Sequence, residues 1–339
     1  MNVLITGGTG FIGSNLALEC AKRGHSVRVL GQENTEAEAG NANLIKSKGI
    51  EVLLTNVLNF GEVRDSVKDV DVVFHLAAAQ HESNVPDQYF WDVNVTGTKN
   101  LLDACVAAQV KRFVYGSTIG VYGSGAAGVL DEETPACPDN IYGVTKLAAE
   151  RLVQSYMDQL SLVIIRISET YGPGDRRLLK LFRAVGDRTF FMIGDGNNLH
   201  HPIYIDDLTE GLLVSASSGA ANGKVIILAG REPLTTKEMV SVIADHLGVS
   251  VREFHIPLVP LLMVATVIGR VFPALGVHPP IYRRRMDFFT KNLIFSQEKA
   301  SRVLEFTPEY SFEHGVYLTA RWYQENGFLQ PASLSTKEI

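Results

Sequence analysis

Tyr142 and Lys146 stand four residues apart in a stretch, 142–157, whose apolar spacing predicts a helix. Both side chains then fall on one face, and an ammonium can lie beside a phenol. A cation there favours the phenolate and draws a tyrosine down from its usual pKa of ~10 towards working pH. Such a phenol suits proton transfer to and from a carbinol or carbonyl oxygen. A second chemical feature opens the chain: Thr6-Gly7-Gly8-Thr9-Gly10-Phe11-Ile12-Gly13, between an apolar run at 3–6 and a helical pattern at 11–23. Gly7 and Gly10 permit a tight turn and close backbone approach to a pyrophosphate. Gly13 lets helix and strand pack closely, and the helix N-terminus faces the negative charge.

The elements that must position these groups follow from the hydropathy pattern. Apolar, β-branched runs at 3–6, 26–30, 50–54, 70–76, 112–115 and 162–165 alternate with helix-length segments such as 11–23, 93–108 and 142–157. That alternation predicts an α/β fold, a Rossmann doubly wound parallel sheet. After about residue 167 the pattern loosens into glycine loops at 172–174 and 194–196, a strand at 224–228, and helices at 236–247 and 312–325. We read this as a smaller C-terminal substrate-binding lobe. The expected division is 1–167, with 203–230 returning to it, for the dinucleotide; 168–202 and 231–329 for the lobe; and 330–339 as a frayed polar tail.

With 339 residues, 46% of them hydrophobic and 20% charged, the chain can bury a large core, which excludes disorder, collagen and a disulfide scaffold. A net charge of −6, spread without a long basic run, removes electrostatic capture of nucleic acid. Cys20, Cys105 and Cys137 are odd in number, far apart and without metal-ligand spacing. They fit a reducing compartment, and no secretory signal pattern follows Met1, so a cytoplasmic location is expected. His200 and His201 are adjacent, without acidic partners, and read as loop residues rather than a metal site. Residues 256–275 are strongly apolar but broken by Pro257, Pro260, Gly269, Arg270 and Pro273. They suit a buried or dimer-packed helix and substrate lid, or a helix lying on a membrane surface, rather than a span.

The order of further motifs resembles the extended branch of the short-chain dehydrogenase/reductases, which includes nucleotide-sugar epimerases and 3β-hydroxysteroid dehydrogenases. The matching residues are the G-x-x-G-x-x-G turn, His75-Leu76-Ala77-Ala78, Asn94-Val95-Thr96-Gly97-Thr98, Ser117 to Gly123, Tyr142-Gly143-Val144-Thr145-Lys146, Arg166 through Pro173, and Tyr204-Ile205-Asp206-Asp207. The resemblance implies that Thr118 hydrogen-bonds the reacting oxygen beside Tyr142, and that Lys146 also holds the nicotinamide ribose. It assigns Gly7, Thr9, Gly10, Phe11, Ile12, Gly13, Gln32, Asn56, Val57, Leu76, Ala77, Ala78, Asn94 and Ser117 to the cofactor, alongside Tyr142 and Lys146. His81, Thr118, Glu169 and His200 fall to the substrate side, and no residue to a metal.

Departures from the family pattern carry information about cofactor and substrate. Gly31 stands where an NAD-preferring member often has Asp, and Gln32 where an NADP-preferring one often has Arg. Glu33, Glu36 and Glu38 disfavour a 2′-phosphate, so NAD is expected, with NADP left open. Ile119 and Gly120 replace the acid that dehydratases and decarboxylases of the family carry there. Glu169 and His200 replace the Asn and Arg that serve a sugar diphosphate. The expected function is an NAD(P)-dependent oxidoreductase acting on a secondary alcohol or ketone, sterol-like or otherwise hydrophobic. The alternatives are a nucleotide-sugar epimerase and a non-catalytic dinucleotide-binding scaffold. A homodimer through the helices near Asn94 and Tyr142 is a family-based expectation.

Overall fold

The computed structural model describes residues 1–80, 85–126, 128–251, 255–258, 260–261 and 288–330. Its long strands are β1 (Asn2–Thr6), β2 (Ser26–Gly31), β3 (Glu51–Leu54), β4 (Val72–His75), β5 (Arg112–Thr118), β7 (Leu162–Ile167) and β12 (Val225–Leu228). They form one seven-stranded sheet, ordered β12-β7-β5-β4-β1-β2-β3, in which the neighbours pair in parallel. Two-residue strands make the rest: β6 (Val129–Leu130) with β15 (Ile294–Phe295), β8 (Thr170–Tyr171) with β11 (Ile203–Tyr204), β9 (Met192–Ile193) with β14 (His255–Ile256), and β10 (Leu199–His200) with β13 (Leu234–Thr235).

The central strands are unbroken apolar runs because helices cover both faces of the sheet. Along β5 the pleat sends Val114 to one face and Phe113 and Tyr115 to the other. Helices α1 (Phe11–Lys22), α2 (Glu36–Ser47) and α8 (Ile205–Ser217) close the first face with Leu16, Ile45 and Leu212, joined by Val303 from the helix Glu298–Leu304. Helices α3 (Phe60–Ser66), α4 (Asp87–Trp91), α5 (Gly97–Ala107) and α6 (Ile141–Gln154) close the second with Val63, Phe90, Leu101 and Ala149. A separate core gathers Phe182 of α7 (Leu179–Gly186), Ile243 of α9 (Thr236–Leu247), and Val316 and Tyr323 of the helix Phe312–Glu325.

The chain runs outward from β1 to β3 and then returns to β4, so the strand order reverses between β1 and β4, where Thr6 and His75 end in register. In open α/β sheets, ligands occupy the crevice beyond such a reversal. Among the described residues no helix is long and apolar enough to cross a membrane. Most of the apolar stretch 256–275 lies outside the described residues. All three cysteines are free, Cys20 and Cys105 buried and Cys137 exposed, and burial pushes the Cys20 thiol up to about 12.

Candidate active site

The glycine turn sits at the reversal point and its shape is sterically enforced. Gly7 has φ +67, and a Cβ there would lie 2.7 Å from the Ala77 nitrogen. A Cβ on Gly13 would lie 2.3 Å from the Gly7 carbonyl oxygen, so any side chain at 13 would force the turn open. The Gly10 N–H donates to that same carbonyl at 3.0 Å. As N-cap of α1, Gly10 brings no side chain to the helix's first N–H groups, which leaves them to an anion. Buried Thr9 ties the turn to β2, its hydroxyl accepting from the Gln32 N–H at 3.1 Å. A Cβ on Gly31 would lie 2.4 Å from that hydroxyl oxygen, so an Asp at 31 would collide with Thr9, and Gln32 becomes the first side chain available at the strand end. Two of the three acids counted against a 2′-phosphate are engaged locally: Glu33 pairs with Lys46 at 3.4 Å, and Glu38 completes a capping box with Thr35.

Around this turn the cofactor-side residues are held by backbone contacts. The Leu76 N–H donates to Thr6 O at 3.1 Å. Val57 is wedged against α5, where a Cβ on Gly97 would lie 2.4 Å from its Cγ2. The Asn56 carboxamide oxygen accepts from the Leu58 N–H at 3.0 Å. Asn94 lies in a π-helical turn, Asp92–Thr96, between α4 and α5, a distortion frequent at functional sites. Buried there, Asn94 accepts from the Ala79 N–H at 2.8 Å and donates to Ala79 O at 3.1 Å and to the Thr145 hydroxyl at 2.9 Å. It thereby clamps the segment after β4 to α6. His75 lies between the hydroxyls of Thr6 and Thr98 at 2.6 and 2.9 Å; burial holds its pKa down at about 3, so the ring is neutral. Of the substrate-side residues, His81 lies outside the described residues.

Thr118 ends β5 and Tyr142 opens α6, and glycines let the two segments meet. A Cβ on Gly143 would lie 2.6 Å from Gly120 O, and one on Gly123 would lie 2.2 Å from Cys137 O. An ideal Cβ on Gly120 would stand 3.3 Å from Thr118 Oγ1 and 3.9 Å from Tyr142 Cδ1. The hydroxyl and the phenol ring therefore border one small volume, kept open by the glycine. Thr118 Oγ1 accepts from the Gly120 N–H at 3.0 Å, which leaves its proton to donate. One turn beyond Tyr142, Lys146 is 1% exposed; its Nζ donates to Gly116 O at 2.6 Å and lies 4.1 Å from the Tyr115 ring centroid. Burial pushes this ammonium down to about 7, opposed by the charge of Glu150. Ser117, on the α6 side of β5 with Tyr115, donates to Glu150 at 2.5 Å.

Against the sequence expectation of a loop residue without an acidic partner, His200 stands in β10 and meets Glu169, Oε2 to Nδ1 at 3.0 Å, with the glutamate side chain 43% exposed and the imidazole 3%. His200 also touches the Thr236 hydroxyl at 3.0 Å and packs on Phe288 with ring centroids 4.5 Å apart and planes tilted by 35°. Desolvation lowers His200's affinity for a proton, but the Glu169 charge and hydrogen bond outweigh it and raise the pKa. Desolvation works against Glu169 likewise, and His200 with Arg177 and Lys291 holds its carboxyl below the ordinary value. His201 is turned inward, bonded to Gly230 O at 2.9 Å and to the Phe295 N–H at 3.1 Å. Among the described residues no group of three potential metal ligands gathers.

One feature escapes the sequence motifs. Arg166 grips Glu150 with Nε at 3.1 Å and Nη2 at 2.8 Å, and its Nη1 donates to the Tyr122 hydroxyl at 2.8 Å. The single signal for it is that Glu150 follows Lys146 by one helical turn.

The profile of the NAD dependent epimerase/dehydratase family matches residues 3–229. The chain is 26% identical over 343 residues to 3beta-hydroxysteroid-dehydrogenase/decarboxylase isoform 2 of Arabidopsis thaliana, covering 93% of this chain but only 61% of that protein. It is 31% identical over 265 residues to the uncharacterized UDP-glucose epimerase YtcB of Bacillus subtilis, covering 73% and 83%. The solved structure of MoeE5 in complex with UDP-glucose and NAD superposes with a TM-score of 0.76 at 26% identity, covering 96% of this chain and 99% of that one.

Proposed function

Since the chain belongs to the NAD-dependent epimerase/dehydratase family, within the extended short-chain dehydrogenase/reductases, we propose that it moves hydride between nicotinamide and a secondary alcohol or ketone borne on a hydrophobic, sterol-like body. The observation that carries the chemistry is the shared volume beside Gly120, bordered by Thr118 Oγ1 and the Tyr142 ring. In oxidation Tyr142 takes the proton from the substrate hydroxyl, and in reduction it returns one to the carbonyl oxygen. Thr118 donates to the same oxygen and fixes its distance from the phenol. The Lys146 cation stabilises the phenolate one turn away. The turn from Gly7 to Gly13 would hold the pyrophosphate, Gln32 a ribose hydroxyl, and Lys146 the nicotinamide ribose; NAD supplies the hydride acceptor or donor when bound.

Two features support the apolar substrate: the likeness to the hydroxysteroid dehydrogenase/decarboxylase and the carboxylate of Glu169. A carboxylate ~4 Å from a diphosphate would be repelled by on the order of 1 to 4 kcal/mol. A nucleotide-sugar epimerase is the second reading, favoured by the likeness to YtcB and MoeE5. Incubating the protein and NAD with a panel of apolar secondary alcohols and of UDP-sugars separates the two. The first reading expects net nicotinamide reduction with the apolar alcohols and its loss in Tyr142→Phe. Epimer interconversion without net reduction would transfer the assignment to the second. A homodimer through α5 and α6 and a cytoplasmic location belong to the same proposal, tested by sedimentation and by cell fractionation.

A further inference from the structure

Lys146 is buried between β5 and α6: the Tyr115 ring lies 4.1 Å from its Nζ, Glu150 of α6 acts on it, and it acts in turn on neutral His75 of β4. Glu150 acts on Tyr115, Tyr122 and Arg166 as well, while Tyr142 acts on Tyr115 and Glu132 on Tyr122. Among the described residues, Glu150 is the carboxylate whose charge acts on Lys146. It is 2% exposed, and both its oxygens are committed, Oε1 to Ser117 and Arg166 Nε, Oε2 to Arg166 Nη2. Helix α6 thus grips the end of β5 at consecutive residues, through Lys146 on the Gly116 carbonyl and Glu150 on the Ser117 hydroxyl.

We propose that Glu150 is a positioning residue acting through Lys146: its carboxylate, fixed by Ser117 and Arg166, is the counter-charge that opposes loss of the buried ammonium's proton and keeps it seated on the Gly116 carbonyl. An uncompensated ammonium in such surroundings gives up its proton, and a neutral amine no longer stabilises the Tyr142 phenolate. Arg166 holds the carboxylate in place with a two-pronged contact that a lysine could not make. The inference rests on the reading of Tyr142 and Lys146 given above.

The test is an NMR titration of protein labelled with 13Cε-lysine, the Lys146 resonance being assigned by its loss in Lys146→Met. Glu150→Gln is expected to lower the pH at which Lys146 titrates by about one pH unit or more. Should the orphaned guanidinium prevent Glu150→Gln from folding, the double variant Glu150→Gln/Arg166→Met removes both charges and is expected to lower it likewise. Arg166→Met alone should leave Lys146 titrating at or above the wild-type pH. Wild-type titration in a folded Glu150→Gln or double variant overturns the inference. Adding NAD to the wild type separates the two levels: if the Lys146 resonance does not respond, the proposed site is wrong and the inference falls with it. If it responds while the Glu150 variants titrate as wild type, only the inference fails.

Discussion

Gly120→Ala separates the chemistry of the site from the stability of the fold. The added methyl would lie 3.3 Å from Thr118 Oγ1 and 3.9 Å from Tyr142 Cδ1, so it enters the volume assigned to the substrate oxygen. Gly120 has no positive φ, and an alanine is free to adopt its backbone conformation. Where the backbone allows, the exchange stabilises by about 0.4–1 kcal/mol through the unfolded chain. Against this stands the hydrogen bond from the Gly120 N–H to Thr118, 3.0 Å long, which the methyl strains and which contributes roughly 0.5–1.5 kcal/mol. The two effects nearly cancel, so urea denaturation should find the variant within about 1 kcal/mol of wild type. Turnover should behave differently, because the methyl takes the space assigned to the substrate oxygen, and a reacting atom misplaced by ~1 Å costs on the order of 10²-fold. Denaturation, calorimetric NAD binding and the alcohol-panel assay would be run on one preparation. A folded Gly120→Ala that binds NAD and turns over at the wild-type rate would refute the claim that Thr118 and Tyr142 act on one oxygen.

Tyr142→Phe should retain NAD binding in calorimetry while its turnover falls by roughly 10²- to 10⁴-fold, the usual cost of losing an acid/base; undiminished turnover would remove the phenol from the mechanism. Gly13→Ala should weaken NAD binding by at least about tenfold in calorimetry, because its Cβ meets the Gly7 carbonyl at 2.3 Å; unchanged affinity would contradict the turn's role. Asn94→Ala strands the buried N–H and C=O of Ala79 and should cost roughly 2–5 kcal/mol in urea denaturation. The Glu169–His200 pair has its own pH signature. His200's raised pKa contributes stability that is full below its unfolded value and is lost as pH rises past the folded one. Glu169's lowered pKa contributes stability present above its unfolded value and lost as pH falls through the folded one. The stability difference between wild type and Glu169→Gln should therefore peak between about pH 4.5 and 6.5 and shrink on either side; a flat difference would dissolve the pair.

The parts of the fold legible in the sequence are those where sterics or burial leave one solution. Val3 to Ile5 and Leu162 to Ile165 are apolar without alternation because both sheet faces are covered, and Gly7 and Gly13 are fixed by backbone atoms under 3 Å away. Helices α2 and α8 are absent from the sequence reading for physical reasons. In α2 only Ala42 and Ile45 are buried, too little for an apolar stripe, although Thr35-x-x-Glu38 spells a capping box. Helix α8 starts at Ile205 directly after β11, with no polar cap to announce it. Within the site, Tyr142 and Lys146 are readable because one helix carries both. The contacts of Glu150 with Arg166 and Glu169 with His200 bridge separate elements, and only the assembled sheet brings them together.

The convergence of Thr118 and Tyr142 on one oxygen is open to direct test in a crystal structure of the protein with NAD and a ketone substrate. It predicts the ketone oxygen within about 3.2 Å of both the Thr118 hydroxyl and the Tyr142 phenol, beside a nicotinamide whose pyrophosphate lies over the turn at Gly7 to Gly13. A ketone oxygen held by other residues, or Tyr142 and Thr118 facing separate cavities, would contradict it.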